Sequence, residues 1–214
     1  MKILILQVMT PEIAGYCAYS LPINLEYAVI NGYHYHLHHA RITDIPYHPP
    51  WLKLEALRSV DFKSFDWIWV LDADCVINNR RIKLKHVISA DPKDIIISKN
   101  GRNGGRLLNS GSFVLKSSAV PSVLAEYNAY AATGSEYMLK RFWDQEMFND
   151  WYEREPSIFS VREMNVLNSH WNISALSGDD LNNFVFHYMA QPDKQRIAAL
   201  QKYWLARYFV PAKK

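Results

Sequence analysis

The sequence of 214 residues predicts an α/β fold in a single domain, with a central, mainly parallel mixed sheet flanked by helices. Short apolar runs typical of strands buried on both faces recur along the chain, at about residues 2–8, 67–71 and 95–98. Segments with helical periodicity separate these runs, as expected for a layered α/β fold. The length suits one domain with a sizeable core and is short for two ordinary domains.

The first helix is predicted between the opening strand and a second strand at residues 33–39. Ser20 as its cap and Pro22 in its first turn indicate the start, and Asn31-Gly32 indicates the end. Its inward-facing residues are predicted to be Leu25, Ala28 and Val29. The next helix is expected to follow Pro49-Pro50 and to lead into the apolar strand at Trp67.

The second half of the chain continues the alternation. A Gly-rich loop at 101–105 follows the strand at 95–98. The remaining predicted elements are a strand at 112–116, a helix from 118 to about 132, a helix from 144 through 151, a strand at 184–187 and a terminal helix from 192. The terminal helix is expected to bury Ile197, Leu200, Trp204 and Leu205 on one face.

Charge, cysteine content and hydropathy exclude several classes of protein. With 24 basic and 21 acidic residues, the net charge of +3 predicts no broad cationic surface for nucleic acid. Two cysteines are too few for a disulfide framework, so reduced thiols and a cytoplasmic location are expected. No segment approaches the roughly 20 apolar residues of a membrane span, and the brief apolar N-terminus predicts a strand instead of a signal peptide.

The apolar run from Trp67 to Leu71 ends in two carboxylates, Asp72 and Asp74. Open α/β sheets bind ligands at the carboxyl ends of their strands. Because buried carboxylates without partners are costly, the pair needs solvent, hydrogen bonds or a cation. Mg²⁺ or Mn²⁺ shared with a phosphate meets that need. The alternative is a solvated turn after the strand, where Asp is also common.

Four histidines fall in the second predicted strand. Alternation places His34, His36 and His38 on one face, with His39 beside them, which is a possible zinc arrangement. No fourth ligand or tight structural spacing accompanies them. An exposed or interfacial strand face is the alternative interpretation.

Several short motifs occur together in one order. They are Asn24-x-x-Tyr27-Ala28, Gly32-Tyr33, Trp51-x-Lys53, Leu57-Arg58, Leu71-Asp72-Ala73-Asp74, Leu108-Asn109-Ser110-Gly111-Ser112-Phe113, Asp144-Gln145 and Phe186-His187-Tyr188. Each is weak alone, but the ordered set resembles the metal-dependent nucleotide-sugar glycosyltransferases of the GT-A (Rossmann-like) fold. The galactosyl- and xylosyltransferase group of fungi and plants is similar over residues 20 to 194. The length and opening strand look closer still to the N-terminal domain of large multidomain glycosyltransferases of chlorella viruses.

The resemblance implies a set of site residues. The metal, Mn²⁺ or Mg²⁺, would be held by Asp72, Asp74 and His187. The UDP-sugar donor would contact Gln7, Val8, Thr10, Tyr16, Lys53, Asp72, Ala73, Ser110, Gly111 and Lys194, and Gly111 would let a ligand approach the backbone. The catalytic residues would be Asn109, Asp144 and Gln145.

Other interpretations of these residues stay open. Tyr16 could be an ordinary loop aromatic, and a histidine after an apolar run, such as His187, could be structural. Lys194 could be a solvated lysine at a helix start, because its spacing of seven from His187 departs from the shorter family spacing. Asp144 could cap a helix, and Lys53 could be an ordinary basic residue of an amphipathic helix.

The resemblance implies transfer of glucose, galactose, xylose or rhamnose from a UDP-sugar to a glycan hydroxyl, with retention of configuration. It also implies a glycan acceptor such as a viral capsid glycoprotein, and a longer multidomain chain. Two rival functions remain. Asp72-Ala73-Asp74-Cys75-Val76, Ile95 to Ser98 and Gly178-Asp179-Asp180 resemble motifs of haloacid-dehalogenase-like phosphatases, with Asp72 as nucleophile. A non-catalytic module that binds nucleotide sugars is the other rival.

Overall fold

The computed structural model describes residues 1–44, 48–91, 93–99, 107–133, 143–162, 169–170, 183–188 and 192–209. The strands in these ranges are β1 (Ile3–Met9), β2 (His34–His39), β3 (Trp67–Leu71), β4 (Cys75–Ile77), β5 (Ile95–Lys99), β6 (Leu108–Lys116), β7 (Phe159–Arg162), β8 (Ser169–His170) and β9 (Val185–His187). The helices are α1 (Ala14–Asn31), α2 (Leu52–Ser59), α3 (Leu84–Ser89), α4 (Val120–Ala132), α5 (Asp144–Arg154) and α6 (Asp193–Phe209).

Six strands form the central sheet, in the order β2-β1-β3-β6-β5-β7. The pairs β1–β2, β1–β3 and β5–β7 are parallel, whereas β6 runs antiparallel to both of its neighbours. A second sheet has the order β4-β9-β8. The predicted mixed, mainly parallel α/β sheet is therefore confirmed.

Strand β6 determines what lies beside the carboxyl end of β3. Because the pair is antiparallel, Leu71 pairs with Ser112, and the residues that precede Ser112 extend past the end of β3. Across from β5, the register shifts between Ile97 and Ser98, which pair with Phe113 and Asn109. Residues 110–112 form the resulting irregularity in the β5–β6 ladder, and such bulges re-aim the backbone near functional sites.

The core lies on both faces of the sheet. Alternate residues of β3 separate to the two sides: Ile68 and Val70 pack with α2, α4 and α5, while Trp67, Trp69 and Leu71 pack with α1 and α3. A third apolar cluster joins α1, β9 and α6. This two-sided burial explains the unbroken apolar character of β3.

Helix α1 differs from the sequence prediction at its start and in its orientation. It begins at Ala14, so Pro22 lies inside it, and it ends at Asn31, followed as predicted by Gly32, which caps it with a φ of 67°. Leu25 and Val29, predicted to face inward, are 46% and 70% exposed. Periodicity of apolar residues misplaced this face because polar Ser20 and Asn24 are part of the buried side.

Most of the other predicted elements lie within one to three residues of their predicted bounds, whereas β4, α3, β7 and β8 were not predicted. Strand β6 starts at Leu108, four residues earlier than predicted. The prediction missed this start because the first residues of the strand are mostly polar. In α6, Leu200 is buried but Leu205 is 46% exposed, so the predicted apolar face is wrong at Leu205. The predicted loop at 101–105 lies outside the described residues. Within the described ranges, no helix combines the length and apolarity that a bilayer crossing needs.

Candidate functional site

Asp72, Asp74 and His187 meet at the carboxyl end of β3. The Nε2 atom of His187 lies 3.2 Å from Oδ1 of Asp74 and 3.7 Å from Oδ2 of Asp72. Strand β9 brings the histidine there, because Cys75 of β4 pairs with His187 and the amide of Tyr188 donates to the Asp74 carbonyl. The three predicted metal ligands are thus brought together, although metal binding itself stays a prediction.

Gly111 lies directly against the His187 imidazole. A Cβ atom built on Gly111 would lie 2.1 Å from Cε1 of the ring, which is much shorter than a van der Waals contact. The main chain of Gly111 also faces β3, where its carbonyl accepts a hydrogen bond of 2.8 Å from the amide of Asp72. The imidazole of His187 therefore approaches this glycine directly, and a contact of Gly111 with the donor stays a prediction.

Lys53 of α2 is buried, and its ammonium group lies next to Asp72. Its Nζ donates to Oδ1 of Asp72 at 2.6 Å and to the Ser110 carbonyl at 3.0 Å, and lies 2.9 Å from Oδ2 of Asp144. Burial by itself lowers the pKa of Lys53, but the carboxylates of Asp144 and Asp72 outweigh it and raise the pKa above its usual value. Lys53 is therefore a charged, buried member of the site.

Asp144 is the first residue of α5 and is almost fully buried. Burial raises the pKa of its carboxyl above the usual value; Lys53 opposes the shift and Asp72 adds to it. The preceding residue, Trp143, has a φ of 48°, which is costly for a residue with a side chain. Its ring stacks on His48, with centroids 4.0 Å apart. This strained junction fixes where Asp144 enters the site.

Arg196 of α6 forms the other side of the acidic pair. Its Nε donates to the Tyr188 carbonyl at 3.1 Å and lies 3.2 Å from Oδ2 of Asp74. Burial acts to raise the pKa of Asp74, but His187 and Arg196 outweigh it and lower the pKa below its usual value. The Arg196 guanidinium also covers the Tyr16 ring, with its central carbon 4.9 Å from the ring centroid.

The residues predicted to contact the nucleotide occupy different environments. Gln7 is fully buried, and its amide is bonded to the Asp72 carbonyl, Asn24 and Tyr35. Tyr16 is buried beneath Arg196, so the structure places it in the core instead of a loop. Val8 is half-buried at the end of β1. The hydroxyl oxygen of Thr10 is buried and makes no hydrogen bond within the described part of the chain, and its contact with the donor stays a prediction.

Asn109 and Gln145 border the site on β6 and α5. The Oδ1 atom of Asn109 accepts a hydrogen bond of 2.9 Å from the Gly111 amide. The Gln145 carbonyl accepts a hydrogen bond of 2.7 Å from Asn149, whose own Oδ1 accepts one of 2.9 Å from the Leu108 amide. Asn149, which the sequence analysis did not identify, therefore ties α5 to the start of β6.

Lys194 does not join this group. It is exposed on the first turn of α6, whereas Arg196, two residues later, contacts Asp74. The sequence analysis missed Arg196, although periodicity offered a signal. Arg196 stands four residues before buried Leu200 and seven before buried Tyr203, so it belongs to the inner face of the helix.

The ligand chemistry favours a hard divalent ion. Among the described residues, Asp74, Cys75 and His187 offer ligand atoms within 4.8 Å of one another, and the histidines of β2 are not part of such a group. The Cys75 thiol donates to the Gly111 carbonyl, and burial, reinforced by Asp74 and Asp72, raises its pKa well above the usual value. A protonated thiol is a poor ligand, so the two carboxylates and the imidazole fit Mn²⁺ or Mg²⁺ better.

No protein-family model matches the sequence, and no curated protein matches it. Solved structures do match. A glycosyltransferase involved in glycosylation of the major capsid of PBCV-1 is similar with a TM-score of 0.74 and 17% identity, over 94% of this chain and 100% of that chain. The galactosyltransferase LgtC, solved with donor and acceptor sugar analogs, is similar with a TM-score of 0.61 and 10% identity, over 93% of this chain and 95% of that chain.

Mouse xyloside xylosyltransferase 1 is similar with a TM-score of 0.53 and 12% identity, over 89% of this chain and 98% of that chain. At these identities the likeness concerns the fold. It agrees with the sheet order described above and with the resemblance predicted from the ordered motifs. The chain therefore has the GT-A fold of these glycosyltransferases.

Proposed function

We propose that this protein is a metal-dependent glycosyltransferase that moves a hexose or deoxyhexose from a UDP-sugar to a glycan hydroxyl. The observation that carries the proposal is the convergence of Asp72, Asp74 and His187 at the carboxyl end of β3, within a GT-A fold. Ligands of open α/β sheets bind at this end. The nearby cations Lys53 and Arg196 make the site suitable for a phosphorylated ligand.

Each charged residue has a part in this proposal. Asp72, Asp74 and His187 would hold Mn²⁺ or Mg²⁺, and the bound ion would neutralise charge on the departing diphosphate. Arg196 would supply a second positive charge there, in the part that the sequence resemblance gave to Lys194. Lys53 holds Asp72 in place through a hydrogen bond of 2.6 Å while it neutralises Asp144.

Asn109, Asp144 and Gln145 would position the donor sugar. Asp144 lies between Lys53 and the Ser110 hydroxyl, which donates to its carboxylate, so its orientation is fixed before a ligand arrives. Preorganised polar groups of this kind contribute most when their environment is buried. We infer retention of configuration from the resemblance, and the anomeric form of the product, read by NMR, tests it.

The acceptor proposal rests on the named neighbours. LgtC was solved with donor and acceptor sugar analogs, and the PBCV-1 neighbour acts in capsid glycosylation. We propose a glycan acceptor for this chain as well, with a viral capsid glycoprotein as one specific case. We also propose that these 214 residues form one catalytic domain of a longer cytoplasmic enzyme.

The phosphatase hypothesis agrees less well with the sheet. It needs the segment ending at Ser98 to assist Asp72, but β6 lies between β3 and β5, and Ser98 pairs with Asn109 of β6. Its third motif, Gly178 to Asp180, lies outside the described residues. Hydrolysis of p-nitrophenyl phosphate that disappears in Asp72→Asn would favour the phosphatase over our proposal.

The deciding experiment compares thermal unfolding with UDP and Mn²⁺ against UDP and EDTA. With ligand 100-fold above its Kd, binding adds about 2.7 kcal/mol to the free energy of unfolding. For a chain of this size we expect a rise in Tm of roughly 5 to 11 °C with Mn²⁺ and none with EDTA. Equal shifts would contradict the metal site. A hydrolysis panel of UDP- and GDP-sugars, each with and without Mn²⁺, then identifies the donor and separates an enzyme from a binding module.

A further inference from the structure

The four residues from Asp72 to Cys75, which we call the acidic loop, have every main-chain carbonyl bonded from outside the loop. The donors are Gln7 Nε2 to the Asp72 carbonyl (3.0 Å), Ser20 Oγ to Ala73 (2.5 Å), the Tyr188 amide to Asp74 (3.1 Å) and Asn24 Nδ2 to Cys75 (2.9 Å). Asp72 to Asp74 lie between β3 and β4, where carbonyls lack the regular partners of a strand ladder, and Cys75 begins β4. The Asp72 carbonyl also accepts from the Cys75 amide, so the loop combines one internal bond with four bonds from outside.

Three of the four donors are side chains from β1 and α1. Gln7, Ser20 and Asn24, which we call the loop clamp, are each 0% exposed. They are also connected, because Asn24 donates to Oε1 of Gln7 at 2.9 Å and the Tyr35 hydroxyl donates to the same atom at 2.6 Å. Polar side chains in a core are costly unless satisfied, and here the acidic loop satisfies them.

Asn24 reaches beyond the loop as well. Its Oδ1 accepts a hydrogen bond of 2.8 Å from the Ile77 amide in β4, the strand that pairs with β9. One side chain therefore links the acidic loop to the strand next to His187. The buried polar face of α1, which departs from an amphipathic pattern, has a direct structural use at this point.

We propose that Gln7, Ser20 and Asn24 are positioning residues that fix the separation and direction of the Asp72 and Asp74 carboxylates toward His187. The inference rests on the proposed function of these three groups as metal ligands. The two carboxylates repel each other, Lys53 and Arg196 offset part of that repulsion, and the clamp holds the main chain that carries both groups. Residues that orient metal ligands affect metal affinity by about 10- to 100-fold when removed.

The test measures the Kd for Mn²⁺, with UDP present, from the EPR signal of unbound Mn²⁺. Ser20→Ala and Asn24→Ala each remove one bond to the acidic loop, and we expect each to raise the Kd about 10-fold or more. The matched control is Tyr27→Phe on the same helix. Tyr27 is equally buried, but its hydroxyl bonds to the Ile82 carbonyl and the Leu84 amide instead of the acidic loop.

Tyr27→Phe should lower Tm while leaving the Kd for Mn²⁺ unchanged. If the unaltered protein binds no Mn²⁺ in the presence of UDP, the proposed function fails. If it binds Mn²⁺, and a folded Ser20→Ala or Asn24→Ala binds it equally well, the positioning role fails and the proposed function stands. Failure of both variants to fold would also overturn the proposal, because the clamp would then serve the fold and not the geometry of the ligands.

Discussion

The imidazole of His187 packs directly against the main chain of Gly111. A Cβ atom on Gly111 would lie 2.1 Å from Cε1 and 2.4 Å from Nδ1 of the ring. Gly111 belongs to the central sheet and His187 to the smaller one. The two sheets can approach this closely only where one residue has no side chain. The position of the histidine beside Asp72 and Asp74 therefore depends on a glycine elsewhere in the chain.

Gly111→Ala is expected to displace the imidazole and raise the Kd for Mn²⁺ about 10-fold or more, measured with UDP present. Gly15→Ala is the control, because its Cβ would meet only the flexible end of Ile197, at 3.0 Å. In a His187→Ala background, Gly111→Ala should add little, since the clash is gone. An unchanged Kd in the single variant would show that His187 is not a metal ligand.

Lys53→Met is expected to lower the free energy of unfolding by about 3 to 5 kcal/mol, because two carboxylates lose their buried cation. Urea unfolding measures this. Lys116→Met is the control, since the Lys116–Asp94 pair is 33% and 48% exposed and such surface pairs contribute about 0 to 1 kcal/mol. Adding Asp144→Leu to Lys53→Met should restore part of the loss. Equal losses for both lysine variants would contradict the buried charge cluster.

Arg196→Ala is expected to weaken UDP binding in the presence of Mn²⁺, whereas Lys194→Ala is expected to leave it unchanged. Arg196 contacts Asp74, while Lys194 is exposed on the same helix. A hydrogen bond to a charged group contributes about 1.5 to 3 kcal/mol, which corresponds to a loss of affinity of roughly 10- to 150-fold. Isothermal titration calorimetry measures both variants. A larger effect at Lys194 would return the diphosphate contact to the residue that the sequence resemblance indicated.

The thiols of Cys17 and Cys75 are expected to resist Ellman's reagent at pH 8 in the folded protein and to react in denaturing urea. Burial raises the pKa of Cys17 to about 12, so roughly one thiol in ten thousand is ionised at pH 8. Cys75 is buried next to two carboxylates and shifts in the same direction. Rapid reaction of either native thiol would contradict its placement.

The buried thiols are expected to lower the free energy of unfolding as pH rises above 9. An unfolded cysteine ionises near pH 9.0, whereas folded Cys17 keeps its proton to about pH 12. Between these values the folded state binds more protons, so the free energy of unfolding falls as pH rises, by about 1.4 kcal/mol per pH unit for each such thiol. In Cys17→Ala the slope measured by urea unfolding above pH 9 should become shallower. An unchanged slope would contradict the shift.

The sequence by itself determined the α/β class of the fold and the place of the acidic pair. Trp67 to Leu71 are buried on both faces, and a run of five apolar residues ending in two aspartates shows this without any knowledge of neighbours. The end of α1 was equally local, because Gly32 has a φ of 67°, which favours glycine. Both features depend only on residues that are adjacent in the chain, so the sequence alone is enough to predict them.

Only the tertiary structure decided how the surrounding residues are used. Lys53 and Arg196 become members of the site because α2 and α6 pack against the carboxyl end of the sheet, whereas Lys194, equally basic, faces solvent. Ser20 was predicted to cap a helix and Asn24 was the first residue of a short motif, yet both bond to a loop more than fifty positions away. Partners so distant in sequence leave no periodic signal, because their contact exists only after the chain has folded.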